Sequence, residues 1–208
     1  MKTITMASSK GGSGKTTITA GLAVRACQDT AKVAMMDLNF DQGSLTQWWE
    51  MRGEPKAPFL ALNVENIPRA VKALANAYDW LLIDTPPADM DLIEQAIAVA
   101  DAVVIPVRPG FFDVLAVQSV IEMCNERHKP FSFVLNAVES RWKPLTVQTV
   151  GLLNELGPLF TTKVSCRMQY VTAVAIGKTG PEIGRDLKPE FDALWSEVKR
   201  LTEKGRAQ

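Results

Sequence analysis

The chain is poor in the residue types that most often announce chemistry. Three cysteines and one histidine occur in 208 residues. Cys27, Cys124 and Cys166 are odd in number and share no metal-like spacing, so buried reduced thiols are the plainer reading than a disulfide framework or a zinc site. The single histidine, His128, falls in a polar stretch that reads as a helix end or turn, and it receives no catalytic role. No run approaches about 18 consecutive apolar residues, so no transmembrane helix is expected. Neither sign of charge is in excess, with 23 basic and 23 acidic side chains. Charge alone therefore does not point to nucleic acid, and any such surface must come from local clustering. Internal repeats and low-complexity linkers are also missing. A strand begins within a few residues of Met1, so we expect neither a signal peptide nor an N-terminal helix-turn-helix domain.

What is present is an alternation. Strand-like runs at 2–7, 32–37, 78–84, 102–107, 131–136 and 162–166 alternate with helix-like runs at 18–28, 64–77, 91–99, 115–127, 146–156 and 189–202. Residues 51–66, with Gly53, Pro55 and Pro58, read as a loop or an edge excursion, and residues 170–176 lead to a turn at 177–181. The strands are apolar throughout rather than at every second position. That suits an α/β fold with a mostly parallel, twisted sheet and helices on both faces. The length suits one domain spanning 1–208.

Residues 8–17 read Ser-Ser-Lys-Gly-Gly-Ser-Gly-Lys-Thr-Thr, between the first strand and the first helix. Strand, glycine-rich turn and helix form the context of a phosphate-binding loop. Glycines let backbone N–H groups crowd one anion, and the helix directs its positive end at the same point. Gly11, Gly12, Ser13 and Gly14 would cradle the phosphates. Lys15 would bring a full charge to the β- and γ-phosphates, Thr16 a hydroxyl to Mg²⁺, and Thr17 a contact to the α-phosphate. The strand at 78–84 ends in Asp84, followed by Thr85-Pro86-Pro87. An apolar strand ending in aspartate, placed after such a loop, is the carboxylate that holds the magnesium shell. A second strand ends in Asp37, where open α/β sheets gather ligand groups.

The first glycine of the common phosphate-loop pattern is replaced by Ser9, and a second lysine, Lys10, precedes Gly11. The pattern Lys-Gly-Gly-x-Gly-Lys-Thr-Ser/Thr is matched throughout. In this the chain resembles the ParA/MinD family of ATPases with a deviant phosphate loop, as do Asp84-Thr85-Pro86-Pro87 and the Pro109–Asp113 segment. Gln42, Ser44, Thr46 and Trp48 also follow that family's order, but with one extra residue and no proline, so Asn39 and Asp41 compete for the second aspartate's place. The resemblance implies a P-loop NTPase fold, ATP and Mg²⁺ as cofactors, and slow, partner-stimulated hydrolysis. It implies that Asp37 orients the attacking water, with support of the magnesium as the alternative. Lys10 would reach the partner's phosphates across an ATP-dependent homodimer. Asn136, at a strand end, would read the adenine edge; a simple polar cap is the competing reading.

Three classes of function compete within the resemblance. A small partition or positioning ATPase would bind DNA non-specifically as a dimer, meet a ParB-like or other cargo adaptor, and reside in the cytoplasm on the nucleoid. Arg141, Lys143, Arg167, Lys178, Arg185 and Lys188 are candidate DNA contacts. A MinD-like membrane switch would need the apolar stripe Phe191, Leu194, Trp195, Val198 and Leu201 to lie on lipid, whereas a closing helix of a small α/β domain usually packs inward. A reductase or ligase of the same superfamily would need bridging cysteines or substrate inserts. The first class fits the size and the motifs best.

Overall fold

Aliphatic residues of β1 (Lys2–Met6), β2 (Val33–Asp37) and β4 (Trp80–Asp84) are buried on both faces of one sheet. The computed structural model describes residues 1–29, 31–53, 57–62 and 64–206, so Pro55 lies outside the described residues. With β3 (Phe59–Ala61), β5 (Ala102–Val107), β6 (Phe131–Val138) and β7 (Leu159–Ser165) the sheet has seven strands in the order β3-β2-β4-β1-β5-β6-β7. Every neighbouring pair is parallel. The expected parallel, doubly covered sheet is what forms, and β3 is the edge excursion.

One face is covered by α1 (Lys15–Gln28), α2 (Ser44–Met51) and α10 (Lys188–Arg206), where Leu22, Trp48, Phe191 and Trp195 pack on Ile4, Met6 and Val104. The other face carries α3 (Ile67–Leu74), α4 (Met90–Ala98), α6 (Gln118–Glu126) and α7 (Lys143–Leu156), packed on strand residues of opposite parity such as Leu81, Ile83, Val103 and Ile105. The stripe from Phe191 to Leu201 lies in the first of these cores, with Phe191, Leu194 and Val198 fully buried. It is therefore not a free surface for lipid. Among the described residues no helix is long and apolar enough to cross a membrane.

Several boundaries differ from the pattern-based expectation. The helix expected at 115–127 starts only at Gln118 as α6, and a short α5 (Phe111–Leu115) precedes it, joined through Ala116 and Val117. The run at 64–77 shortens to α3, because Asn66 accepts the Arg69 N–H at 2.9 Å and caps it, with Pro68 in the first turn. The segment at 170–176 and the turn expected at 177–181 instead hold α8 (Met168–Val174) and α9 (Gly180–Ile183). Helix α2 follows Gly43, whose φ of 54° ends the preceding loop.

Register places the site. Asp37 and Asp84 are direct neighbours across β2 and β4, and Asp84 is level with Met6 at the end of β1. Strand order reverses at β1, and ligands of such sheets sit beyond the carboxyl ends at that point.

Candidate functional site

The loop leaving β1 turns through Gly12 (φ 73°) and Gly14 (φ 97°) before α1 starts at Lys15. Gly14 has a second constraint: a Cβ there would lie 1.9 Å from the Asn136 amide nitrogen. Lys15 is buried, and its ammonium donates to the Ser8 carbonyl at 3.0 Å and the Lys10 carbonyl at 3.3 Å. Burial lowers its pKa, and the nearby Asp84 charge opposes that shift. Ser13 lines a cavity of about 420 Å³, and among the described residues its buried Oγ has no hydrogen-bond partner. A buried hydroxyl without a partner, beside crowded glycine N–H groups, is the donor set a phosphate would complete.

Thr16 Oγ1 donates to Asp84 Oδ2 at 2.6 Å, and Thr19 Oγ1 lies 3.5 Å from Oδ1. Asp84 is almost wholly buried, and burial pushes its pKa up to about 7. The Asp37 charge adds to that rise, while Thr16, Lys15 and Thr19 counter it. A hard cation would restore the carboxylate's charge, so the residues present fit Mg²⁺. Among the described residues no cluster of three or more His, Cys, Asp or Glu could cage a metal. The arrangement thus suits an ion shared between one hydroxyl, one carboxylate and a ligand's phosphates. Asp37 accepts the Asn39 N–H at 3.0 Å on one oxygen, and the Thr46 N–H (2.9 Å) and hydroxyl (3.0 Å) on the other. It is oriented from the first turn of α2.

A match to the CobQ/CobB/MinD/ParA nucleotide-binding domain covers residues 4–175. The chain belongs to this family. The carboxysome distribution protein A of Halothiobacillus neapolitanus is 29% identical over 94% of this chain and 95% of its own length. The MinD cell division protein of Aquifex aeolicus superposes with a TM-score of 0.78 at 18% identity, covering 98% of each chain. Pyrococcus horikoshii MinD, solved with Mg-ADP, gives 0.76 at 18% identity over 98% of each chain. The fold is that of MinD and ParA proteins, and the chain is a small ParA-type ATPase.

Within that family site, Gly11, Gly12, Thr16 and Thr17 line the 420 Å³ cavity with Ser13, Gly14 and Lys15. Its far wall, which sequence reasoning did not identify, is made of Tyr170, Val174 and residues 178–181. The signal available was Thr179 followed three residues later by Glu182, the signature of a capping box, and that box forms. Asn136 is not among the residues lining the cavity; its amide donates to the Ser13 carbonyl at 2.8 Å and packs over Gly14.

Lys10 points to the other side of the loop. Its ammonium pairs with Asp113 Oδ2 at 2.5 Å and borders a second cavity of about 280 Å³ with Arg108 and Trp142. The basic candidates are scattered. Lys188 is paired with Asp192 at 2.8 Å, and Arg141 with Glu139 at 2.5 Å. Arg167, Lys178 and Arg185 are exposed, and among the described residues none forms an ion pair; Lys143 is exposed as well.

Proposed function

We propose that the protein is a positioning ATPase that forms an ATP-dependent sandwich dimer, holds DNA non-specifically in that state, and distributes a large cargo through an adaptor protein. The observation that carries this reading is the convergence of Thr16, Asp84 and Asp37 beneath the phosphate loop while Lys10 projects from its opposite side. One lysine of the loop serves the cavity of its own chain, and the other is left facing outward. The carboxysome relative supports a protein assembly as cargo, and a plasmid remains within the same chemistry.

Bound Mg²⁺ would neutralise charge on the β- and γ-phosphate oxygens. Lys15, now on the Ser8 and Lys10 carbonyls, would hold the phosphates, and Thr16 and Asp84 would hold the cation. Asp37, fixed by three donors, orients the attacking water. Lys10 exchanges Asp113 for the phosphates held by the second copy. Its ion pair is partly exposed and worth only about 0–1 kcal/mol, so it does not oppose that exchange strongly. Of the three thiols expected to be buried only Cys124 is; Cys27 is half-buried and Cys166 exposed, and one surface thiol per copy falls short of the four cysteines a cluster bridging two copies would take. The protein would reside in the cytoplasm on the nucleoid.

The test is retention on random-sequence DNA with ATP, ADP or no nucleotide, with light scattering for mass and phosphate release for turnover. The expected result is Mg²⁺-dependent turnover, with a dimer and DNA retention only with ATP. Equal retention in all three states discards the switch.

A further inference from the structure

Helix α2 is gripped at both ends by parts of the site that are far apart in sequence. In its first turn Thr46 holds Asp37 through its N–H and its hydroxyl. Two residues on, Trp48 Nε1 donates to the Lys178 carbonyl at 2.9 Å. At the end of the helix, Arg52 donates to the Gly177 carbonyl at 3.0 Å and grips Glu182 through both terminal nitrogens, at 3.0 and 2.8 Å. Glu182 also accepts the Thr179 N–H and hydroxyl, at 2.7 and 2.8 Å, so the same carboxylate caps α9. The backbones touch as well: Gly177 has φ +64°, and a Cβ there would lie 2.3 Å from the Arg52 backbone.

These contacts join two walls. Residues 178–181 face the phosphate loop across the cavity, and Trp48 lines it too. A planar bidentate pair, 14% and 21% exposed, is geometrically specific in a way a single surface ion pair is not. The far wall cannot shift without α2, and α2 cannot shift without turning the Asp37 carboxylate.

We propose that Arg52 and Trp48 are positioning residues that couple nucleotide filling of the cavity to the orientation of Asp37. The inference rests on the reading of Asp37 as the group that orients the attacking water. A nucleotide seated against residues 178–181 steadies the wall, the clamp passes that restraint to α2, and Thr46 fixes the carboxylate. The warrant is one rigid element contacted at both ends, which is stronger than a chain of residues lying between two sites.

The experiment is amide hydrogen exchange on the full chain without nucleotide, with ADP and with a non-hydrolysable ATP analogue, alongside turnover and nucleotide titration. Native protein is compared with Arg52→Lys and Glu182→Gln, with thermal unfolding to establish that each is folded; Arg52→Lys keeps the charge and serves if the other fails to fold. In the native chain nucleotide should slow exchange in both 178–183 and 44–51, by about fivefold or more. In the variants the first slowing should persist and the second fall below about twofold, with kcat reduced about fivefold and affinity within about threefold of native. A purely structural pair would raise exchange equally with and without nucleotide and leave kcat of the folded protein unchanged, which would overturn the proposal. Slowing confined to 178–183 in native protein would overturn the coupling and leave nucleotide binding intact. No nucleotide-dependent change anywhere would remove the functional reading itself.

Discussion

Asp37 and Asp84 stand side by side at the ends of adjacent strands, and their surroundings separate their roles. Asp84 is sealed beneath Thr16 with its pKa raised to about 7 by burial, the setting of a carboxylate that needs a cation. Asp37 is held by Thr46 of α2 and by the Asn39 N–H in the loop before it, the setting of a group whose direction matters. Asp37→Ala should therefore bind ATP with near-native affinity and lose about a hundredfold in turnover, within the range for a misplaced general base or water-orienting group. Calorimetry and phosphate release measure the two, and loss of ATP affinity in a folded variant would move Asp37 to magnesium support. Lys15→Ala should weaken nucleotide binding about tenfold to a hundredfold, the worth of a hydrogen bond to a charged group. The residues in these two predictions were legible in the sequence because their neighbours in the chain define them: a glycine run before Lys15, an apolar strand before each aspartate. The contact of Asn136 with the Ser13 carbonyl was not legible, since it joins residues 123 apart in the chain.

Helices α1 and α10 meet where a side chain is missing. A Cβ on Gly21 would lie 2.1 Å from the ring of the fully buried Phe191. A rigid ring in a packed core cannot yield that distance, so Gly21→Ala should cost about 1–3 kcal/mol in urea unfolding. Adding Phe191→Leu should recover part of the loss; a neutral single variant would show that the two helices are not packed this closely. The same helix pair carries a pH-sensitive contact. Hydrogen bonds from Arg25 first, and then from Trp195 and Lys199, lower the Asp29 pKa from 3.8 to about 2, against burial. A carboxylate with a depressed folded pKa stabilises above its unfolded value and loses that contribution as pH falls towards the folded one. Asp29→Asn should thus lower stability by about 1 kcal/mol or less at pH 7, because the side chain is 37% exposed and solvent screens it. Unfolding series at successive pH values should show the difference from native disappearing between about pH 4 and pH 2, and a difference constant with pH would reject the ion pairs as its source. Strands were legible because burial on both faces leaves an unbroken apolar run, and long helices because burial on one face leaves a period. The break at Ala116–Val117, α2 after Gly43, and α8 with α9 were not, because short helices carry too few turns to show one and are set by what they pack against.

At the scale of the whole molecule the formal charge is zero, so attraction to DNA must be local and must grow with assembly. Each phosphate neutralised adds about 0.9 to the slope of log affinity against log salt, and a dimer presents any basic strip twice. On the proposed reading a monomer, which presents such a strip once, should hold DNA poorly, whereas two copies joined across ATP should hold it well and lose it steeply as salt rises. The structure sorts the candidate cations by what they already bind. The Lys188 charge is met by Asp192, and the Arg141 charge by Glu139, whereas Lys143, Arg167, Lys178 and Arg185 have no ion-pair partner among the described residues. Arg185→Ala and Arg167→Ala should each reduce DNA retention with ATP and flatten the salt slope by about one to two, counting both copies, while the dimer mass stays native. Lys188→Ala should change both much less, since the lysine's charge is already met by Asp192, which Arg25 continues to hold. Lys10→Ala should abolish retention and dimer together, although in the monomer its ammonium faces Asp113 and not solvent-borne phosphate. Retention across a salt series with light scattering on the same samples separates these outcomes. A Lys10→Ala protein that still binds DNA with ATP would detach DNA binding from dimerisation. Equal losses from Lys188→Ala and Arg185→Ala would show that free charge is not what selects the contact residues.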